Sequence, residues 1–130
     1  MKAFTLMEVM VVIILLTVVA TFAIPNYTGS INRARVRDAA SQLSVFNAAN
    51  AVYRAQANQF YPTELGDVDA INTALNINLV ANGLSYSYKP ESTTSYQATA
   101  GGGAFTVGVT EAAISATNPY CAGGNCYGIV

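Results

Sequence analysis

Histidine and tryptophan are both missing from this 130-residue sequence, and charged residues make up only 10% of it, against a usual quarter or so. The lack of histidine excludes imidazole acid/base catalysis, most zinc sites and every Ser-His-Asp or Cys-His arrangement. Cationic residues are few. With Lys plus Arg 6, Asp plus Glu 7 and a formal net charge of −1, the sequence gives no phosphate track, so no nucleic acid partner is expected. Both of its 2 cysteines lie in the last ten residues, too few without histidine for a four-ligand zinc site and not at C-x-x-C redox spacing. From Ala112 to Val130 no side chain is charged, which denies that region the carboxylates a calcium ion needs. No metal and no cofactor are expected, and composition favours a structural or interaction protein.

What is abundant is hydrocarbon, and it is concentrated. Residues 9–24 read VMVVIILLTVVATFAI without a charge, and the uncharged stretch continues to Asn32 before Arg33 appears. As a helix, residues 9–32 span roughly 36 Å, against about 30 Å of bilayer hydrocarbon. That length suits a membrane anchor. Pro25 and Gly29 predict a kink or loosening at its far end and not a stop, because helical patterning resumes.

Beyond residue 31, Val36, Ala39, Ala40, Leu43, Phe46, Ala49, Tyr53 and Ala57 recur mostly at spacings of three and four, the mark of an amphipathic helix. A continuous helix from about Phe4 to about Asn58 is predicted, roughly 80 Å long. Phe60-Tyr61-Pro62 should end it. Residues 69–79 fit a short helix or an irregular loop. Residues 84–88 (LSYSY), 96–100 (YQATA) and 105–109 (FTVGV) predict three short antiparallel strands, separated by Lys89-Pro90-Glu91 and Gly101-Gly102-Gly103. A head this small has little core of its own, so its sheet should dock on the Val36, Leu43, Phe46 and Tyr53 face. The predicted class is α+β: a long N-terminal helix, hydrophobic then amphipathic, packed against a small antiparallel sheet.

The first residues carry the most specific pattern. Phe4 to Val9 read FTLMEV, directly after Met1-Lys2-Ala3 and leading into the apolar run. This resembles the prepilin motif of type IV pilins and pseudopilins, in which a short basic leader is cut before a Phe that is then methylated, with a Glu four residues on. The resemblance puts the processing site at Ala3 and Phe4, with Thr5 and Leu6 the usual residues between Phe4 and the Glu8 position. Pro25 falls where many members have a helix-kinking Pro. One departure is Ala3, which stands where the family's leader usually ends in Gly. The resemblance implies residues 1–3 as a cleaved leader, residues 4–32 as membrane and filament-core helix, and residues 33–130 as a head containing the amphipathic half-helix. It further implies assembly through Phe4, Glu8 and Pro25, a prepilin peptidase and pilus assembly machinery as partners, and self-association into a homopolymer. The precursor would sit in the inner membrane with its head outside the cytoplasm, and the assembled form at the cell surface.

Two readings compete for the same residues. Thr5-x-x-Glu8 is also a capping-box spacing, with Phe4 and Val9 placed as a hydrophobic staple. However, a carboxylate beside an apolar span is costly, by up to ~3 kcal/mol near a bilayer centre, and usually functional. After cleavage, Glu8 could pair with the Phe4 amine of a neighbour, the mechanism the resemblance implies. A conventional signal peptide fits less well, because Glu8 interrupts the approach to the apolar core and no clean A-x-A site follows. Charge leaves the orientation open: Lys2 argues for an inside N-terminus, and Arg33, Arg35 and Arg37 argue against it. The resemblance decides for inside. The three arginines read as a solvated or lipid-headgroup-facing belt.

Cys121 and Cys126 enclose four residues, and a disulfide in an oxidising compartment is the economical account. Its ring would contribute only ~2 kcal/mol and pin the tail locally. The 8 tyrosines read as packing and contact residues. An enzyme would have to draw on Glu64, Asp67, Asp69, Lys89, Glu91 or Glu111, none in a recognisable motif, so no enzyme is expected. The leading function is a structural subunit of a type IV pilus-like surface filament. The alternatives are a pseudopilin of a type II secretion system, which the charge-free C-terminal region disfavours, and a minor or tip pilin with an adhesive role.

Overall fold

A computed structural model describes residues 4–129, with the backbone alone described for residues 23–26; the expected leader, Ala3 included, lies outside the described residues. The chain divides into two units, Met1–Asn32 and Arg33–Val130. Helix α1, Leu6–Ala57, runs through both and is helical at Pro25. It ends where Asn58 takes a left-handed φ of 57° and donates its N–H to the Arg54 carbonyl at 2.8 Å. An asparagine there closes a helix at little steric cost, so the stop comes before the Phe60-Tyr61-Pro62 run.

In the first unit, every apolar side chain described from Phe4 to Phe22 is exposed. This is the one helix among the described residues long and apolar enough to cross a membrane.

The second unit is the head. Its part of α1 buries Val36, Ala39, Leu43 and Phe46, four of the positions the periodicity selects, while Ala40 and Tyr53 are half-buried and Ala57 is exposed. A second helix, α2, Val68–Leu75, occupies the first part of the 69–79 segment and seats Ile71 in the core. Asn76, left-handed at φ 52°, terminates it.

The sheet is an antiparallel meander of four strands in chain order: β1 Ser85–Pro90, β2 Tyr96–Gly101, β3 Phe105–Thr110 and β4 Tyr120–Gly124. The three expected strands are present, and β4 is an addition. Its sequence, YCAGG, lacks the alternation that marks a half-buried strand; a register shift between Thr106 and Val107 accommodates it beside β3. The Lys89-Pro90-Glu91 turn is displaced: Lys89 and Pro90 pair with Gln97 and Tyr96, and the reversal is made by residues 91–95, where Glu91 and Ser92 both donate N–H to the Ser95 carbonyl. β1 is an edge strand, where the missing N–H of a proline is tolerated.

Tyr86, Tyr88, Tyr96, Ala98, Ala100, Phe105, Val107 and Val109 line the inner sheet face and form one core with the buried α1 residues. Aromatic rings knit it: Phe46 lies 5.4 Å from Tyr88 and 5.8 Å from Tyr96, and Phe60 lies 4.8 Å from Tyr96, centroid to centroid. Such tilted and edge-on pairs add to area burial. On the outer face the Tyr120 ring covers Gly108, where a Cβ would meet it at 2.6 Å. Gln97 holds the Tyr120 hydroxyl in that position.

Candidate functional site

The expected site residues fall in separate places. Phe4 and Glu8 come together at the start of α1. Thr5 donates its backbone N–H and its hydroxyl to the Glu8 carboxylate, both at 3.0 Å, and the Glu8 N–H returns a 3.3 Å bond to the Thr5 hydroxyl. This is the reciprocal geometry of a capping box. In the single chain it satisfies donors that the first helical turn leaves unpaired. Phe4 is 84% exposed, and Met7, Val11 and Val12 continue an apolar strip on the same turns. The site can therefore present a carboxylate, held by a neutral threonine, within a surface otherwise made of hydrocarbon.

Pro25 lies within the helical span of the same unit. Its side chain is outside the described residues. Thr17 and Thr21, on the approach to it, bond their hydroxyls to the carbonyls of Ile14 and Thr17 at 2.8 Å, so the polar atoms of this apolar stretch are satisfied within the helix.

Cys121 and Cys126 form a disulfide, with Cα atoms 5.7 Å apart. Cys121 is in β4 and Cys126 just beyond it, so the ring ties the edge strand to the tail. Cys126 and Ile129 pack against the core, and Tyr127 lies under the Arg33 guanidinium, 5.7 Å from ring centroid to Cζ.

Several side chains that hold the head together were invisible in the sequence. Asn47 and Asn118, both buried, converge on one strand end: Asn47 Nδ2 donates to the carbonyls of Thr110 (2.6 Å) and Ala112 (3.1 Å). Asn118 donates to the same two and accepts from the Thr110 N–H at 3.1 Å. Together they clamp residues 110–118 to α1. The only available signal was Asn47 on an otherwise apolar helical face; Asn118, in the segment before β4, gave none. Among the charges, Asp38 is committed within the head, its carboxylate accepting from Gln42 Nε2 at 3.1 Å and from Asn82 Nδ2 at 3.2 Å. Tyr86, Tyr88 and Tyr96 all have hydroxyl pKa values raised by burial, Tyr86 to about 12 with a further contribution from Asp38. Among the described residues no group of three or more His, Cys, Asp or Glu side chains is placed to hold a metal ion.

The long helix and small antiparallel sheet make this an α+β fold of pilin type. No family model matches the sequence. Among curated proteins it is similar to the type II secretion system core protein G of Aeromonas hydrophila, 37% identical over 70 residues covering 54% of this chain and 48% of that one. It is similarly related to the same-named proteins of Pectobacterium carotovorum subsp. carotovorum, 35% over 65 residues (50% and 42%), and Vibrio cholerae serotype O1, 34% over 70 residues (54% and 47%). The chain thus has pseudopilin homologues, within the pilin and pseudopilin family, at modest identity over half its length. It spans about half the length of these curated relatives.

Proposed function

We propose that this protein is a structural subunit of a helical filament and not an enzyme. Residues 4–32 would form the filament core and the head its outside. The observation that carries the reading is the uncovered apolar helix: its most apolar window has none of its residues buried within the chain. Burial of apolar surface contributes roughly 25 cal/mol per Å², so such a helix is stable only in lipid or against copies of itself. Membrane and filament then serve as successive environments for the same surface.

In this reading cleavage between Ala3 and Phe4 frees an amine that is methylated, and Glu8 exchanges its threonine partners for the amine of a neighbouring Phe4. A charged pair replaces neutral donors, which are weaker partners for a carboxylate, and only one axial offset between subunits brings the two groups together. Prepilin peptidase and assembly machinery would be its partners, and the precursor would lie in the inner membrane with the head outside.

Two filaments fit. A pilus-like surface fibre is supported by the charge-free segment from Ala112 to Val130; a secretion pseudopilus is supported by the name shared by the three relatives. Glu8→Gln tests the mechanism common to both. It should leave membrane insertion and head folding unchanged while reducing sheared or cross-linked filament at least tenfold. Normal yield would return Glu8 to a helix cap alone.

A further inference from the structure

Three of the chain's 6 basic residues, Arg33, Arg35 and Arg37, stand in the first five residues of the head, directly after the last uncharged residue of the apolar span. All three are exposed. Asp38, the nearest acid in sequence, gives its carboxylate to Gln42 and Asn82, and none of the three guanidinium groups is ion-paired among the described residues. Their angular placement is informative. At about 100° per residue, the buried positions Val36, Ala39 and Leu43 occupy one side of α1. Arg33 and Arg37 then flank that side on one edge and Arg35 on the other. The charges form a collar and not a stripe. A rigid acidic protein or a nucleic acid engages one face of a helix; a collar suits a surrounding that meets the helix from several sides.

The disulfide-pinned tail adds an aromatic to the collar, since Tyr127, 41% exposed, lies beneath the Arg33 guanidinium. Arginine and tyrosine at the end of an apolar span are the residue types that settle at the headgroup level of a bilayer.

We propose that Arg33, Arg35, Arg37 and Tyr127 form a headgroup-binding collar that gathers anionic phospholipids around the unassembled subunit. This rests on the membrane-anchor reading. Each arginine near an anionic surface strengthens the attraction about fivefold, with steep salt dependence. Subunits leaving the bilayer for a filament would release these lipids, so assembly becomes sensitive to the anionic content of the membrane.

The test uses the full chain reconstituted into phosphatidylcholine vesicles containing one-fifth phosphatidylglycerol, with spin-labelled lipids reporting which headgroup is retained at the protein. Wild type should prefer phosphatidylglycerol by about threefold or more at low salt, and lose the preference in concentrated NaCl. Arg33→Gln/Arg35→Gln/Arg37→Gln should abolish it, Tyr127→Ala should weaken it, and Arg54→Gln/Lys89→Gln, which removes two charges elsewhere, should retain it. Equal preference in the triple variant and wild type would overturn the collar, as would equal loss in the Arg54/Lys89 control. Displacement by inorganic phosphate beyond that by chloride of equal ionic strength would assign the site to free phosphate and overturn it too. A wild-type chain removed from the vesicles by alkaline carbonate would instead fail the anchor reading, and the collar with it.

Discussion

Individual side chains in the head divide into those whose polar atoms are matched and those whose are not. Tyr88 donates its hydroxyl to the Tyr61 carbonyl at 2.6 Å, whereas the buried hydroxyl of Tyr86 has no hydrogen-bond partner among the described residues. An unmatched buried hydroxyl costs about 1–3 kcal/mol. Tyr86→Phe should therefore stabilise the head by about 1 kcal/mol, and Tyr88→Phe should weaken it, in denaturant titrations of the detergent-solubilised protein. Tyr86 also has a predictable pH signature. Its folded pKa is raised, so the stability linked to its neutral form is complete below the ordinary tyrosine value near 10 and is lost as pH climbs through about 12. The wild-type melting temperature should fall over that interval, and Tyr86→Phe should blunt the fall. The tyrosine positions were legible as packing residues from alternation along β1, but which hydroxyls would find partners was not, because those partners are carbonyls distant in sequence.

At the level of elements, α1 was legible because two independent patterns, a charge-free run and a 3.6-residue periodicity, follow one another across Pro25. The segment from Val68 to Leu75 was less so, since the helix is only 8 residues long and its stripe of Val68, Ile71 and Leu75 covers too few turns for periodicity to separate a helix from a loop. β4 was missed for a further reason: it is held less by its own apolar residues than by what surrounds it. Tyr120 packs over Gly108, Asn125 donates its N–H to Ala104, and the disulfide joins strand to tail. The segment leading into β4 depends on the buried amide of Asn118, whose removal leaves the Thr110 N–H without that acceptor and the Ala112 carbonyl with one donor fewer. Asn118→Ala should cost about 2–3 kcal/mol and raise hydrogen exchange in residues 110–124 while leaving β1 and β2 protected. Uniform loss of protection across the sheet would contradict this local role.

The molecule as a whole consists of a head that completes its own core and an apolar helix that completes nothing by itself. The first property follows from side-chain pattern, and so most of the head could be read in advance. The second is a statement of need: the sequence and the single chain specify which surface must be covered, from Phe4 to Phe22 and onward to residue 32, without supplying the cover. Glu8 shows the same division. Its bonds to Thr5 account for it within one chain, and the role proposed for it between chains rests on the chemistry of an amine that the proposed processing would free. The most direct measurement is an electron cryomicroscopy map of native sheared filaments at side-chain detail, combined with N-terminal sequencing of their main protein. The account predicts chains that begin at methylated Phe4, residues 4–32 enclosed by neighbouring copies, and the Glu8 carboxylate within hydrogen-bonding distance of a neighbour's N-terminal amine. A filament of this protein in which those helices lie outside the core, or in which Glu8 still bonds only to its own Thr5, would contradict it.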